Sequence, residues 1–97
     1  MQVSEILKIL KALGEETRLQ IFEALRDGEL CACKLLEKFN ISQPTLSHHM
    51  KILCNSGLVL AKKDWKWTYY SINCEKLNDF LGYLCDTKCN KEKNTCC

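Results

Sequence analysis

No run of 18 apolar residues occurs in the chain, and the N-terminal stretch MQVSEILKILKAL carries charges through its apolar part. Neither a membrane-spanning helix nor a secretory signal is therefore readable, and the expected compartment is the cytoplasm. Histidine is scarce. The only two, His48 and His49, are adjacent, so they cannot form the i, i+4 pair that a helical metal site uses. No Ser/His/Asp or carboxylate constellation accompanies them, and an enzyme is not expected. There is no internal repeat, and 97 residues are too few for two domains. One domain of this size buries only a modest core by itself, which makes self-association plausible.

Cysteine, by contrast, is abundant: Cys31, Cys33, Cys54, Cys74, Cys85, Cys89, Cys96 and Cys97. A reducing compartment favours metal binding or thiol chemistry over a disulfide framework for such a set. The net charge of +2 is unevenly spread. Residues 1 to 41 hold 6 basic and 7 acidic side chains, residues 42 to 70 hold 4 and 1, and residues 71 to 97 hold 4 and 4. A positive excess confined to the middle stretch is what a nucleic-acid face produces.

Apolar spacing places the elements. Val3, Ile6, Leu7 and Leu10 predict an inward stripe on a helix over residues 2 to 13, stopped near Gly14. A second helix, acidic at its start through Glu15 and Glu16, turns Leu19, Phe22, Ala24 and Leu25 inward and ends at Asp27-Gly28. GELCACKLLEKF opens a third, whose Ala32, Leu35, Leu36 and Phe39 pack over residues 32 to 39. After the tight Asn40-Ile41 connection, Ser42 caps and Pro44 starts a fourth helix from Gln43 to about Asn55. Leu46, Met50 and Leu53 form its apolar side. LVLAKKDWKWTYYSI reads as a two-stranded hairpin interrupted at Lys63-Asp64, with no glycine to mark the turn. Asn73 caps a last helix with Leu77, Phe80, Leu81 and Leu84 facing inward. Residues 1–86 thus form one domain, and 87–97, TKCNKEKNTCC, a polar tail expected to be flexible.

Helix, helix, helix, tight turn, helix, hairpin, helix is the winged helix-turn-helix order: mainly α with a small β-hairpin wing. The two end helices offer leftover apolar area, so a homodimer through the first and last helices is expected. In such a fold the second helix of the motif enters the major groove of double-stranded operator DNA by its N-terminal part. Gln43, Thr45, Ser47 and His48 occupy those places, with Lys51 suited to a phosphate. His49, on the apolar side, reads as a packed imidazole. Lys62, Lys63 and Lys66 flank the hairpin tip around Trp65, as a wing along a phosphate strand or in the minor groove would require. Ordinary helix capping and a solvated hairpin face are the plain alternatives for these residues.

ELCACKLLEKFNISQPTLSHHMKILCNSGLVLAKKDWKWTYYSI resembles the ArsR/SmtB winged-helix metal-sensing repressors, over about residues 5 to 85. Its ELCAC stretch is similar to the ELCVC-type thiolate site of the arsenic, antimony, cadmium and lead sensors. The resemblance implies a homodimeric repressor released from its operator when metal binds. The family's zinc and nickel sensors with an Asp/His site in the last helix are excluded, because EKLNDFLGYLCD contains no histidine. The arsenic sensors carry a third cysteine three residues after the second, and here that place is Leu36.

Thiolates select soft ions. As(III) and Sb(III) accept three sulfurs, whereas Cd(II), Pb(II) or Zn(II) are the divalent options, with zinc and cadmium wanting a fourth ligand. The favoured site is Cys31 and Cys33 plus one C-terminal thiol from Cys85, Cys89, Cys96 or Cys97. A separate site built wholly from those four is the alternative. Cys54 and Cys74 read as small buried hydrophobes. In a regular helix residues 31 and 33 point roughly 200° apart, so chelation is expected to loosen or re-aim the first turn of the third helix and disturb the recognition helix behind it. A thiol redox switch of the same fold and a cysteine-rich metal buffer are the competing functions.

Overall fold

The computed structural model describes residues 1–86, so the 87–97 tail with Cys89, Cys96 and Cys97 lies outside the described residues. Five helices and three short strands follow one another: α1 (Val3–Leu13), α2 (Glu16–Ala24), β1 (Leu30–Cys31), α3 (Ala32–Phe39), α4 (Gln43–Asn55), β2 (Val59–Asp64), β3 (Trp67–Ile72) and α5 (Cys74–Cys85). Side-chain caps set several of the starts. Glu15 accepts the Arg18 N–H at 2.9 Å, Ser42 the Thr45 N–H at 3.3 Å and Asn73 the Lys76 N–H at 3.2 Å, each satisfying a donor that the first helical turn leaves open. α2 tightens into a 3₁₀ turn over Leu25–Asp27, and the chain reverses at Gly28, whose φ of 135° suits a residue without Cβ. Asn40 ends α3 in the left-handed region at φ 50°, as Asn tolerates.

The sheet is antiparallel in the order β1-β3-β2. β2 and β3 pair from Val59↔Ile72 to Asp64↔Trp67. β1, which apolar spacing had merged into the head of α3, adds two pairs, Leu30↔Tyr70 and Cys31↔Tyr69. A two-residue strand carries too little alternation to be seen in sequence.

The core gathers Ile6, Ile9 and Ala12 of α1, Ile21 and Leu25, Leu35 of α3, Leu46, Met50 and Leu53 of α4, Leu58, Val59 and Phe80. Buried Ser56 locks the bend from α4 into β2: its hydroxyl donates to the Leu53 carbonyl at 2.6 Å and accepts the Leu58 N–H at 3.2 Å. The terminal helices differ from expectation. Val3, Leu7 and Leu10 are exposed, as are Leu81 and Leu84, and so is Leu19 of α2. Apolar residues of α1 run round more than one face, so periodicity identifies the helix without saying which edge meets its own core. The outward edges of α1 and α5 are left uncovered in the single chain. The two helices are tied by Lys76 Nζ and Glu5 Oε2 at 2.8 Å. That hydrogen bond, more than any other cause, holds the Glu5 carboxyl below its ordinary range.

The hairpin turn lies two residues beyond the charged interruption. Asp64 still pairs with Trp67, so Trp65 and Lys66 form the two-residue loop. Trp65 has φ 63° whereas Lys66 is not in the positive region, the pattern of a mirror-type hairpin turn whose first position normally holds glycine. A bulky residue there costs about 1–2 kcal/mol, and with 94% exposure the indole makes little packing to offset it. Trp65→Gly is therefore expected to stabilise the fold by about 1 kcal/mol, raising Tm by roughly 4–8 °C. An unchanged or lowered Tm in a thermal melt contradicts a strained tip.

Candidate functional site

α4 is built to be read from outside. Leu46, Met50 and Leu53 bury its back, and Gln43, Thr45, Ser47, His48 and Lys51 are all exposed. Thr45 Oγ1 also lies 2.8 Å from Ser42 Oγ, so its hydroxyl shares the capping network while staying open to solvent. α4 packs on both α3 and β2. Between α4 and the hairpin runs a shallow depression of about 210 Å³, lined by Ser47, Lys51, Cys54, Ala61 and Tyr70. Lys62, Lys63 and Lys66 are exposed on the wing, and Lys66 Nζ rests 5.4 Å from the Trp67 ring centre. The helix face and the base of the wing thus meet along this depression.

His49 turns back into the protein, as its place on the apolar side predicts, but its surroundings are polar. Arg18 Nε donates to the Ala12 carbonyl at 2.8 Å and Nη2 to the Lys11 carbonyl at 3.3 Å, closing the end of α1, while Nη1 stands 3.2 Å from His49 Nδ1. Glu15 Oε1 is 3.8 Å from the same nitrogen. An arginine donor at Nδ1 requires that nitrogen unprotonated. Arg18 therefore braces α4 against α1 and α2, a role with no sequence signal, since its three partners are scattered along the chain.

The thiols of Cys31 and Cys33 stand together. Cys33 Sγ donates to Cys31 Sγ at 2.9 Å. This corrects the expectation that the two must diverge. Cys31 is the N-cap of α3, with extended backbone at φ −73° and ψ 148°, and belongs to β1, so the 100° step per residue does not govern it. The first turn of α3 need not be loosened or re-aimed to bring the two sulfurs side by side. The donated S–H is the largest cause lowering the Cys31 pKa, and the amides of Cys33 and Lys34 at the helix start act the same way, although they close no cap bond on the neutral thiol. Cys33, whose proton is engaged, is pushed up. Cys31 is the first of the pair to become thiolate.

The remaining cysteines divide. Cys54 is half-buried against the core, and burial pushes its thiol up; Cys74 is exposed, correcting its expected burial, because the first turn of α5 projects beyond the core. Cys85 ends α5 and is disulfide-bonded. Leu36 packs against the core, as its face predicts. Among the described residues no group of three or more His, Cys, Asp or Glu side chains is arranged to hold an ion.

Comparison with known proteins fits this arrangement. Residues 15–60 match the model of "Bacterial regulatory protein, arsR family". An arsenical resistance operon repressor of Staphylococcus aureus is 48% identical over 84 residues, covering 87% of this chain and 81% of that protein. The chain belongs to the ArsR family. The Bacillus subtilis (strain 168) protein of the same name is 37% identical over 89 residues, covering 90% of this chain and 85% of its own. An ArsR-like transcriptional regulator from Rhodococcus sp. RHA1 superimposes with a TM-score of 0.75 at 26% identity, covering 84% of this chain and 76% of that one. This ArsR-family chain is accordingly a winged helix-turn-helix DNA-binding transcriptional regulator and not an enzyme. Membership also decides against the metal-buffer reading. Among its described residues no helix is long and apolar enough to cross a membrane.

The ordering of the thiols is open to test. With limiting iodoacetamide near neutral pH, Cys31 is expected to alkylate several-fold faster than Cys54, since only the thiolate reacts. Cys33→Ala should slow Cys31 and Cys33→Ser, which keeps a donor, should not. Peptide mass spectrometry showing Cys54 labelled first, or Cys31 indifferent to Cys33→Ala, contradicts the assignment.

Proposed function

We propose that this protein is a cytoplasmic, arsenite-responsive repressor. In this reading it grips its operator as a homodimer and lets go when As(III) or Sb(III) is captured by cysteine thiolates. The observation that carries it is the 2.9 Å Cys31–Cys33 sulfur pair at the edge of the sheet whose other strands form the wing. The arsenical resistance repressors of S. aureus and B. subtilis, alike over most of the chain, support arsenite as the signal. Similarity to a cadmium resistance regulator of S. aureus, 35% identical over 78 residues, keeps Cd(II), Pb(II) or Zn(II) as weaker candidates.

The exposed apolar edges of α1 (Val3, Leu7, Leu10) and α5 (Leu81, Leu84) are the area a two-fold partner would cover. Dimerisation would set the two α4 helices at half-site spacing, about 34–36 Å along the duplex. Gln43, Thr45, Ser47 and His48 then meet base edges and Lys51, Lys62, Lys63 and Lys66 meet phosphates. Cys31 and Cys33 supply two sulfurs. The third comes from the C-terminal cysteines, Cys85 after reduction, Cys89, Cys96 or Cys97, of either chain.

The release step follows from what each sulfur is tied to. Capture would replace the 2.9 Å S–H···S contact with two bonds to one ion, and two sulfurs bonded to the same ion cannot stand that close, so the pair would spread. Cys33 is held within the eight residues of α3, whereas Cys31 is held by a two-residue strand. The weaker element gives way. Metalloid capture therefore disturbs β1, and through Cys31↔Tyr69 and Leu30↔Tyr70 it reaches β3 and the wing.

The closeness of the two sulfurs also favours a second reading, a redox switch. Mobility shift with the promoter of the protein's own gene separates them. Arsenite under reductant is expected to weaken binding by roughly 5- to 150-fold, the usual span of allosteric coupling, and Cys31→Ser to lose that response while still binding DNA. Response to peroxide but not to arsenite establishes the redox switch instead. Unchanged arsenite response in Cys31→Ser moves the site to the tail.

A further inference from the structure

We propose that Trp65, at the tip of the wing, reads the minor groove beside each recognition-helix contact and makes the protein prefer A·T over G·C pairs there. The inference rests on the operator-binding reading above and adds a sequence-reading side chain to it.

Several observations converge on this residue. Trp65 is 94% exposed, the most exposed of the large apolar side chains. Its backbone sits at φ 63°, in the position of a two-residue hairpin loop that glycine ordinarily fills. The fold thus holds a strained, uncovered indole where a smaller residue would be easier. The arm beneath it is firm: six consecutive pairs join β2 and β3 right up to Asp64↔Trp67, so the ring is carried about 20 Å from the base of the hairpin at 3.3–3.4 Å per residue. Around the tip, Lys62, Lys63 and Lys66 outnumber Asp64, which suits approach between phosphate strands. Lys66 lies back over Trp67.

The chemistry of the indole sets the preference. Its Nε1–H donates and cannot accept. In the minor groove A·T and T·A show only acceptors, adenine N3 and thymine O2, whereas G·C adds the guanine N2 amino donor. A donor-only probe is therefore matched by A·T and opposed by G·C. Arg and Lys are the usual minor-groove probes, and apolar side chains act there as wedges between base steps; tryptophan combines the flat apolar ring with one donor.

The test uses the full-length protein under reductant and duplexes it selects from a randomised pool. At each position flanking the recognition-helix footprint, A·T is replaced by G·C and by inosine·C, which lacks the amino group but keeps the major-groove pattern of G·C. At one or two flanking positions per half-site, G·C is expected to weaken binding by roughly 5- to 10-fold, and inosine·C to restore it. Trp65→Gly and Trp65→Phe should each bring the three duplexes within about twofold of one another, while mismatches under α4 keep their full effect. Flanks that never discriminate, or the same ranking in Trp65→Gly, overturn the proposal and leave the repressor reading standing. A protein that enriches no sequence overturns both.

Discussion

The antiparallel pairing of Leu30 and Cys31 with Tyr70 and Tyr69 is the constraint on which the functional arrangement depends. It stops α3 one residue short of Cys31. Extended there, Cys31 turns its sulfur toward Cys33, and two residues that a continuous helix would set on opposite sides meet at 2.9 Å. The pairing also makes the thiol site part of the sheet. β3 lies between β1 and β2, so whatever moves the sulfurs acts on the strand that carries the wing as well as on the helix that supports α4. A short strand is well suited to this, because two ladder pairs form a native contact that is easily lost.

A second consequence concerns how a small chain uses its apolar residues. α4 devotes one whole side to the core and keeps the other polar, which fixes its orientation while leaving Gln43 to Lys51 free for a ligand. α1 and α5 are less economical: each buries one edge and exposes another. For a domain that buries only a modest core alone, covering those edges in the proposed dimer would add stability to the helices that frame the site. The Glu5–Lys76 bond and the Arg18 brace to His49 hold α1 against α5 and α4 in the meantime.

Legibility in sequence tracked the length of each signal. α4 was readable in full, because Ser42, Pro44 and the Leu46, Met50, Leu53 spacing agree on the same helix. The wing was readable but its turn was not: Asp64 is the better turn former, yet strand pairing continues through it and places the strained conformation on Trp65. β1 was invisible, since two residues carry no period, and with it went the geometry of the thiol pair. The inward stripes of α1 and α5 are legible in part: Ile6, Leu77 and Phe80 face the core as their spacing predicts, whereas Val3, Leu7, Leu10, Leu81 and Leu84 lie on the outer edge of an apolar band wider than one face. Cys74 was misjudged for want of any sign that its helix start projects outward.

Hydrogen exchange, read residue by residue with and without arsenite under reductant, tests the sheet-borne signal most directly. Faster exchange at Leu30–Cys31 and at Tyr69–Tyr70 on adding arsenite, absent from Cys31→Ser, is the predicted result. Faster exchange confined to α3 and α4, with β1 and β3 unaltered, would contradict it.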